Sequence, residues 1–492
     1  MSQYTAFKDR KEHHVMMSQK QLALAKLDQK KEALFSLSDA LWDHPETGFH
    51  ENFAAESYCK ALAQEGFLVE ENLAGIKTAF SGTFGSGGPV IGFLGEFDAL
   101  PGLSQQAGIS EKQAVVPGGA GHGCGHNLLG VGSLAAAIAV KQYLQETGMP
   151  GTVKFFGCPA EEGGSGKGFM ARAGVFNGLD LAFSWHPADV NVVSSESSTA
   201  NYQICYHFRG VSSHAALAPE LGRSALDALE LMNIGVQFLR EHIPVTSRIH
   251  YAITDTGGNA PGVVQPYAQA MYLIRSPELH QVKELFERVN KIARGAAMMT
   301  ETQVEIEFVK ACSNTVLNAT LLEVMQKNLE EIPSDFFTQE DRELAGRIAA
   351  TYSGDGYFEE LLAGIQDPAL RETIAADRGN PLHSVVMPYP KEQQGFVSSD
   401  VGDVSWNCPV AQISTTTMPA GTPMHSWQAV SVGKSSMAHK GMLYAAKVMA
   451  ASAIDTLEHP DLIVRAKEEF DRRTGGQAYV SPIPPDVNPR IQ

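Results

Sequence analysis

Cysteine is scarce in this chain, with 6 among 492 residues, and no Cys-x-x-Cys pair occurs. That excludes a disulfide-built scaffold and fits a reducing compartment. Positive charge is short too: Lys plus Arg number 38 against 55 for Asp plus Glu, a formal net charge of −17. A nucleic-acid binder carries a basic face and a peripheral membrane protein a basic patch, so both classes are disfavoured. Long apolar runs are also missing. The longest nearly unbroken one, Leu128 to Val140, contains two glycines and a serine and is too short to span a bilayer. The N-terminal MSQYTAFKDRKEHHVMM has no apolar signal core, so a cytoplasmic protein is expected. No tandem repeat or low-complexity tract is visible.

What is present is globular. An apolar content of 43% with 19% charged residues excludes wholesale disorder. The length suggests two or three domains. Helical spacing runs through Ser18 to Glu70, with Leu24, Leu27, Leu34, Leu37 and Leu41 three, four or seven apart. Three short apolar runs follow: Val90 to Leu94, Val153 to Phe156 and Leu181 to Trp185. Each leads into chemically capable residues, respectively Glu96 and Asp98, Glu161 and Glu162, and His186. Separated by helical stretches such as Leu128 to Gln145, they read as buried parallel strands of an α/β fold. Ligands of such sheets bind beyond the carboxyl ends of the strands.

The pattern changes near Asn201. Strand 202–208, a helix from Ser224 to Glu241, strands His250 to Thr254 and Ala268 to Ile274, a helix from Glu278 to Met299 and strand Val304 to Val309 make a β-α-β-β-α-β order, ferredoxin-like. The expectation is a small α+β domain, residues 201–314, inserted into a larger α/β domain made of 1–200 and 315–492. Residues 333–393 are polar and read as an insertion with some helix. A terminal helix covers Ser436 to Ser452.

Among the 16 histidines, His122-Gly-Cys-Gly-His126-Asn127 carries the strongest local signal. The glycines let Cys124 and His126 face one point, and Asn127 can cap the helix that follows. Taken alone, it fits a Gly-rich turn as well as a metal site. Glu161-Glu162 are adjacent carboxylates on a loop and point different ways, so one can ligate while the other acts as general base. The following GGSGKG is not a phosphate loop: Glu161 stands at its required first glycine, and Gly168 follows Lys167. His186 and His425 are each uninformative alone. Together, Cys124, His126, Glu162, His186 and His425 supply enough donors for two metals if one ligand bridges. Such a pair fits hydrolysis, with a shared water as nucleophile and one ion polarising the carbonyl. In the inserted domain, His214 sits in a small-residue turn, and Arg275 ends an apolar run. Arg275 suits a carboxylate ligand or a surface ion pair. His207, His250 and His439 read as structural or surface residues, and Met298 and Met299 as core.

The ordered motifs FDALPG (97–102), HGCGHN (122–127), CPAEEGG (158–164), SWHP (184–187), GVSSHAA (210–216) and YLIR (272–275) resemble those of the dinuclear metallopeptidases that include aminoacylases, carboxypeptidase G and auxin-conjugate amidohydrolases. The match covers roughly residues 33–485, and the cysteine of HGCGHN marks the amidohydrolase branch. Other members have a histidine where this chain has Glu96. The resemblance implies a di-metal catalytic domain with a mainly parallel sheet and an inserted ferredoxin-like lid and dimerisation domain. It implies that Cys124 bridges two divalent ions, Mn²⁺ or Zn²⁺, and that His126, Glu162, His186 and His425 complete their shells. It makes Glu161 the general base and proton donor, and Asp98 the residue that orients a ligand. His214 would stabilise the oxyanion from a partner subunit, and Arg275 would hold the substrate carboxylate. The family's lid asparagine aligns with Gly262: either Asn259 substitutes for it through a shifted loop, or this contact to substrate is absent. The implied substrate is a small N-acyl amino acid, with an aroyl-glutamate such as p-aminobenzoyl-glutamate leading. Other N-acyl amino acids, auxin-type conjugates or dipeptides are the alternatives, and a non-catalytic partner subunit or binding protein is the alternative of another class. The implied assembly is a homodimer or a hetero-oligomer with a related chain.

Overall fold

In the computed structural model, residues 17–353, 359 and 362–491 are described. Residues 1–16, 354–358, 360, 361 and 492 lie outside them, and with them most of the N-terminal stretch and part of the 333–393 insertion. Among the described residues no helix is long and apolar enough to cross a membrane.

The Leu24-to-Leu41 periodicity forms helix α1, Gln19–Asp43, opened by a capping box in which Ser18 and Gln21 satisfy each other's backbone amides. Its Leu27, Leu34 and Leu41, seven apart, are buried on one stripe. The chain bends at His44 and turns at Gly48–Phe49, and α2 covers Asn52–Gln64. The helical periodicity does not extend to Glu70: β1, Leu68–Glu71, begins there and pairs antiparallel with β2, Phe80–Ser86. Next come β3 (Val90–Glu96), α3 (His126–Thr147), β4 (Gly151–Cys158), α4 (Gly166–Arg172), β5 (Leu181–Ala188) and β6 (Val192–Val193). A later strand, Val410–Thr416, completes a seven-stranded sheet. Its centre is parallel: β4 beside β3, β3 beside β5, and β5 beside Val410–Thr416.

The apolar run Leu128 to Val140 lies inside α3, which is buried nearly all round because it passes between the sheet and α1. Small residues make that passage possible. A Cβ on Gly130 would meet the Tyr58 hydroxyl at 2.2 Å and the Glu96 carbonyl at 2.7 Å. Asn127 is not the cap. Gly125 holds that position at φ +75°, and the Asn127 amide instead donates to the Ser38 hydroxyl and the Gly433 carbonyl, joining three segments.

The second unit has the expected order. After the short β7, Glu196–Ser197, come β8 (Ala200–Arg209), α5 (Ala225–Leu239), β9 (Arg248–Asp255), β10 (Tyr267–Ser276), α6 (Leu279–Met299) and β11 (Gln303–Cys312). The strands form one antiparallel sheet ordered β11-β8-β10-β9. Along β10 buried and half-buried residues alternate, with Ala268, Ala270, Tyr272 and Ile274 in the core beneath α5 and α6. Met298 and Met299 are not core: they are 80% and 68% exposed at the end of α6. The apolar stripe of that helix ends at Ala297. The insertion contributes helices Gln339–Ala349 and Pro368–Ala376 and a small core of its own, in which Phe337, Ile348 and Leu382 meet Met418 and Met437.

Replacing Gly130 by valine places a branched side chain against Tyr58 and the β3 backbone. Overpacking of this kind costs about 1–3 kcal/mol. Urea unfolding should show a midpoint lowered accordingly; an unchanged midpoint would mean that α3 can move off β3.

Candidate metal centre

The ends of the parallel strands bring the polar residues together. Cys124 and His126 stand at the entrance of α3, which Gly125 turns in the left-handed region; a Cβ there would lie 2.9 Å from Pro187. Glu161 and Glu162 follow β4, and His186 belongs to β5. His425 comes from the loop after the last parallel strand, itself at φ 57°, with its amide donating to the Gly123 carbonyl at 3.1 Å. Three donor groups result here, each with its ligand atoms within 4.8 Å of one another: Cys124, His126 and His186; Cys124, Glu162 and His425; and Glu96, His126 and Glu161. The Cys124 thiol is common to the first two.

The imidazoles are held by their far nitrogens. His126 Nδ1 lies 2.9 Å from Asp98 Oδ1, and His186 Nδ1 lies 2.8 Å from the Pro187 carbonyl. With the proton on Nδ1 in both rings, each Nε2 offers its lone pair inward. His186 Nε2 reaches Cys124 Sγ at 3.4 Å. His126 Nε2 is buried without a hydrogen-bond partner: Glu96 Oε2 is 3.3 Å away but not aligned for one. Glu162 Oε1 is likewise buried and unpaired, while His425 Nε2 lies 3.4 Å from Glu162 Oε2. Asp98 also accepts the Glu162 amide at 3.0 Å, so one carboxylate positions a donor from each group.

Burial dominates the electrostatics. It pushes the Cys124 thiol up to about 12 and Glu162 up to about 7. Burial, then the neighbouring Glu96, raises Glu161. Burial, then His126, lowers His186 to about 4. Each shift disfavours charge in a pocket rich in acid, and a divalent cation among these donors reverses the cost for thiolate and carboxylate. Soft thiolate, imidazole and carboxylate together suit a borderline divalent ion. The residues present therefore fit a metal pair.

Other predicted site residues stand apart. His214 lies in the turn after β8, where its Nδ1 accepts the amides of Ala216 and Leu217 and makes no hydrogen bond to the donors. Asn259 is exposed on the β9–β10 loop. That loop is stapled to the His214 turn, since the Gly262 carbonyl accepts the Ala215 amide at 2.9 Å. Arg275, at the end of β10, has a buried Nε without a partner. Among the described residues it forms no surface ion pair. His439 stacks on Phe35 and bonds Asp39, as a structural histidine should. His207, beside Cys205 and Glu307, has both ring nitrogens engaged, by Tyr267 and Glu307.

Sequence reasoning missed the supports. Lys167, from the Gly-rich run that is not a phosphate loop, is fully buried, with Nζ 2.7 Å from Glu96 and 2.5 Å from Asp400. Burial works against the ammonium, but Asp400 and Glu96 outweigh it and keep Lys167 charged. Glu51 accepts the Ala160 amide at 2.8 Å, fixing the loop before Glu161. The insertion braces the His425 loop, where Tyr352 Oη donates to the Ala420 carbonyl at 2.7 Å; from the other side Asp189 accepts the Gly421 amide at 2.7 Å. A buried Lys in a Gly-rich run carries no sequence signal, because its partners lie far away in the chain.

Residues 92–353 match peptidase family M20/M25/M40. The chain belongs to that family and is a metal-dependent hydrolase of amide bonds. One relative, a subunit of the p-aminobenzoyl-glutamate hydrolase of Escherichia coli K12, is 46% identical over 456 residues, covering 92% of this chain and 95% of the relative. The mouse Xaa-Arg dipeptidase is 30% identical over 69% of this chain and 77% of its own. A Bacillus subtilis dinuclear metal-binding peptidase of the M20 family shares the fold, with a TM-score of 0.54 at 17% identity, covering 88% of this chain and 99% of that one.

Lys167→Met removes one partner of a buried ion network and leaves Glu96 and Asp400 facing each other. The expected loss of unfolding free energy is about 3–5 kcal/mol, read from urea titrations at neutral pH. A loss below about 1 kcal/mol would show that the carboxylates do not depend on the ammonium.

Proposed function

We propose that this chain hydrolyses N-acyl amino acids, with p-aminobenzoyl-glutamate as the leading substrate, at two divalent ions, Mn²⁺ or Zn²⁺. The observation that carries this reading is the pair of donor groups sharing Cys124. His126 and His186 would hold one ion with the thiolate, and Glu162 and His425 the other. When bound, the pair supplies an activated water and polarises the amide carbonyl. Glu161 takes the proton that the attacking water releases and delivers it to the amide nitrogen as the C–N bond breaks. Asp98 keeps His126 and Glu162 aimed. Arg275 takes the carboxylate of the amino-acid half.

Residues 1–200 and 315–492 serve as the catalytic domain and 201–314 as a lid and dimerisation domain. Leu231, Ile234 and Phe238 support the second role. They form an exposed apolar stripe at helical spacing on α5, in a domain whose sheet ends in the edge strand β9. The partner is a second copy or a related chain, and the Escherichia coli relative is itself named as one subunit of its enzyme. His214, exposed and away from the donors of its own chain, then serves the partner's site as oxyanion donor, with Asn259 on the loop stapled beside it. A cytoplasmic setting fits six cysteines that are all free.

Glu161→Ala should keep both ions while turnover falls by about 10²–10⁴-fold or more. Elemental analysis and initial rates on p-aminobenzoyl-glutamate check this, and near-wild-type rates would remove Glu161 from the role of base. Chelation should abolish hydrolysis in the wild type, with Mn²⁺ or Zn²⁺ restoring it. The dipeptidase relative makes Xaa-Arg dipeptides the necessary comparison substrate; faster cleavage of these would reassign the amino-acid half.

A further inference from the structure

The sheet of the inserted domain has one face covered by α5 and α6 and an opposite face free of that domain's helices. Asn201 and Arg275 are direct register partners on β8 and β10, so their side chains share a face. It is the open face, because their chain neighbours Tyr202 and Ile274 point into the core under the helices. The same row continues to Cys312, paired with Asn201 on β11. Cys312 Sγ lies 3.0 Å from the Ser165 hydroxyl, and Ser165 follows Glu161-Glu162 by a few residues. The row therefore abuts the loop that carries those two carboxylates.

Among the described residues, neither side chain has a hydrogen-bond partner. Asn201 is 3% exposed, its Oδ1 has no hydrogen-bond partner, and Arg275 Nε has none either. Asn201 makes no side-chain hydrogen bond at all among the described residues. A buried polar group left unpaired is costly, and two of them side by side on one face are rare unless a ligand completes them. Burial also depresses the Arg275 guanidinium, as expected of a cation without an anion beside it.

We infer that Asn201 is a substrate-binding residue which, with Arg275, holds the α-carboxylate end of an N-acyl amino acid. The inference rests on the reading of Arg275 as the carboxylate residue. In such a substrate the carboxylate and the amide N–H sit on the same carbon. A planar guanidinium takes a carboxylate by two parallel bonds. A carboxamide beside it offers an N–H₂ group to the carboxylate and a carbonyl to the neighbouring N–H. Asn201 is the second residue of β8, the strand by which the chain enters the inserted domain, so its place is set where the two units join.

The test measures binding without turnover, by calorimetry on the metal-loaded full chain carrying Glu161→Gln, with p-aminobenzoyl-L-glutamate and its α-carboxamide as probes. Adding Asn201→Ala should weaken the carboxylate probe by about 10- to 100-fold, the range for a hydrogen bond to a charged group. The carboxamide should stay within about threefold, with Tm unchanged. Asn201→Asp keeps the shape and sets a second carboxylate against the ligand, so the same selective loss should be larger. In the otherwise wild-type chain, Asn201→Ala should raise KM for the carboxylate substrate far more than it lowers kcat. Equal weakening of both probes, or none, overturns the proposal. A wild-type chain that binds the carboxylate probe selectively but does not hydrolyse it would overturn the choice of substrate and still uphold the pocket.

Discussion

Acidic side chains resist being gathered in a dry interior, and the architecture of this protein is organised around doing so. Glu51, Glu96, Asp98, Glu161, Glu162 and Asp400 share one largely buried neighbourhood at the ends of the parallel strands, with Lys167 inserted between Glu96 and Asp400. The arrangement persists because each acid has a fixed task. Glu51 and Asp98 accept backbone amides of the catalytic loop, and Asp98 also holds a histidine. Glu96 and Asp400 share the ammonium. The loops around the centre take their shapes from these contacts.

That division separates support from reaction. Carboxylates behind the site are satisfied by protein groups, whereas His126 Nε2 and Glu162 Oε1, which face inward, are not. The unsatisfied atoms mark where positive charge belongs. On the reading proposed above, a protein with a net charge of −17 would meet a negatively charged substrate through local cations, the metal pair and Arg275, and its overall charge would have little bearing on that encounter.

The fold was legible wherever pattern is local. Short apolar runs ending in Glu96, Glu161 and His186 marked parallel strands, and the β-α-β-β-α-β order marked the second unit. The clustering of Cys124, His126, Glu162, His186 and His425 was legible because they fall at strand ends or in turns, where side chains are free for chemistry. What could not be read depends on distant partners. Asn127 looks like a cap until Gly433 is found beside it, and Met298 and Met299 look like core until the helix proves to end in solvent. Lys167 is passed over in its Gly-rich run, because its partners Glu96 and Asp400 lie far from it in the chain. The brace from Tyr352 to the His425 loop lies in a segment whose polar composition conceals its packing.

The five donors come from stretches of chain as far apart as Cys124 and His425, and the last rests on a loop tied down from both sides. An unfolded chain has no such convergence and offers no such set of donors. Any ion held only by the folded form shifts the folding equilibrium by mass action, by about 2.7 kcal/mol when its free concentration is a hundredfold above its dissociation constant. The supply of metal around this protein then bears on its stability as well as on its activity.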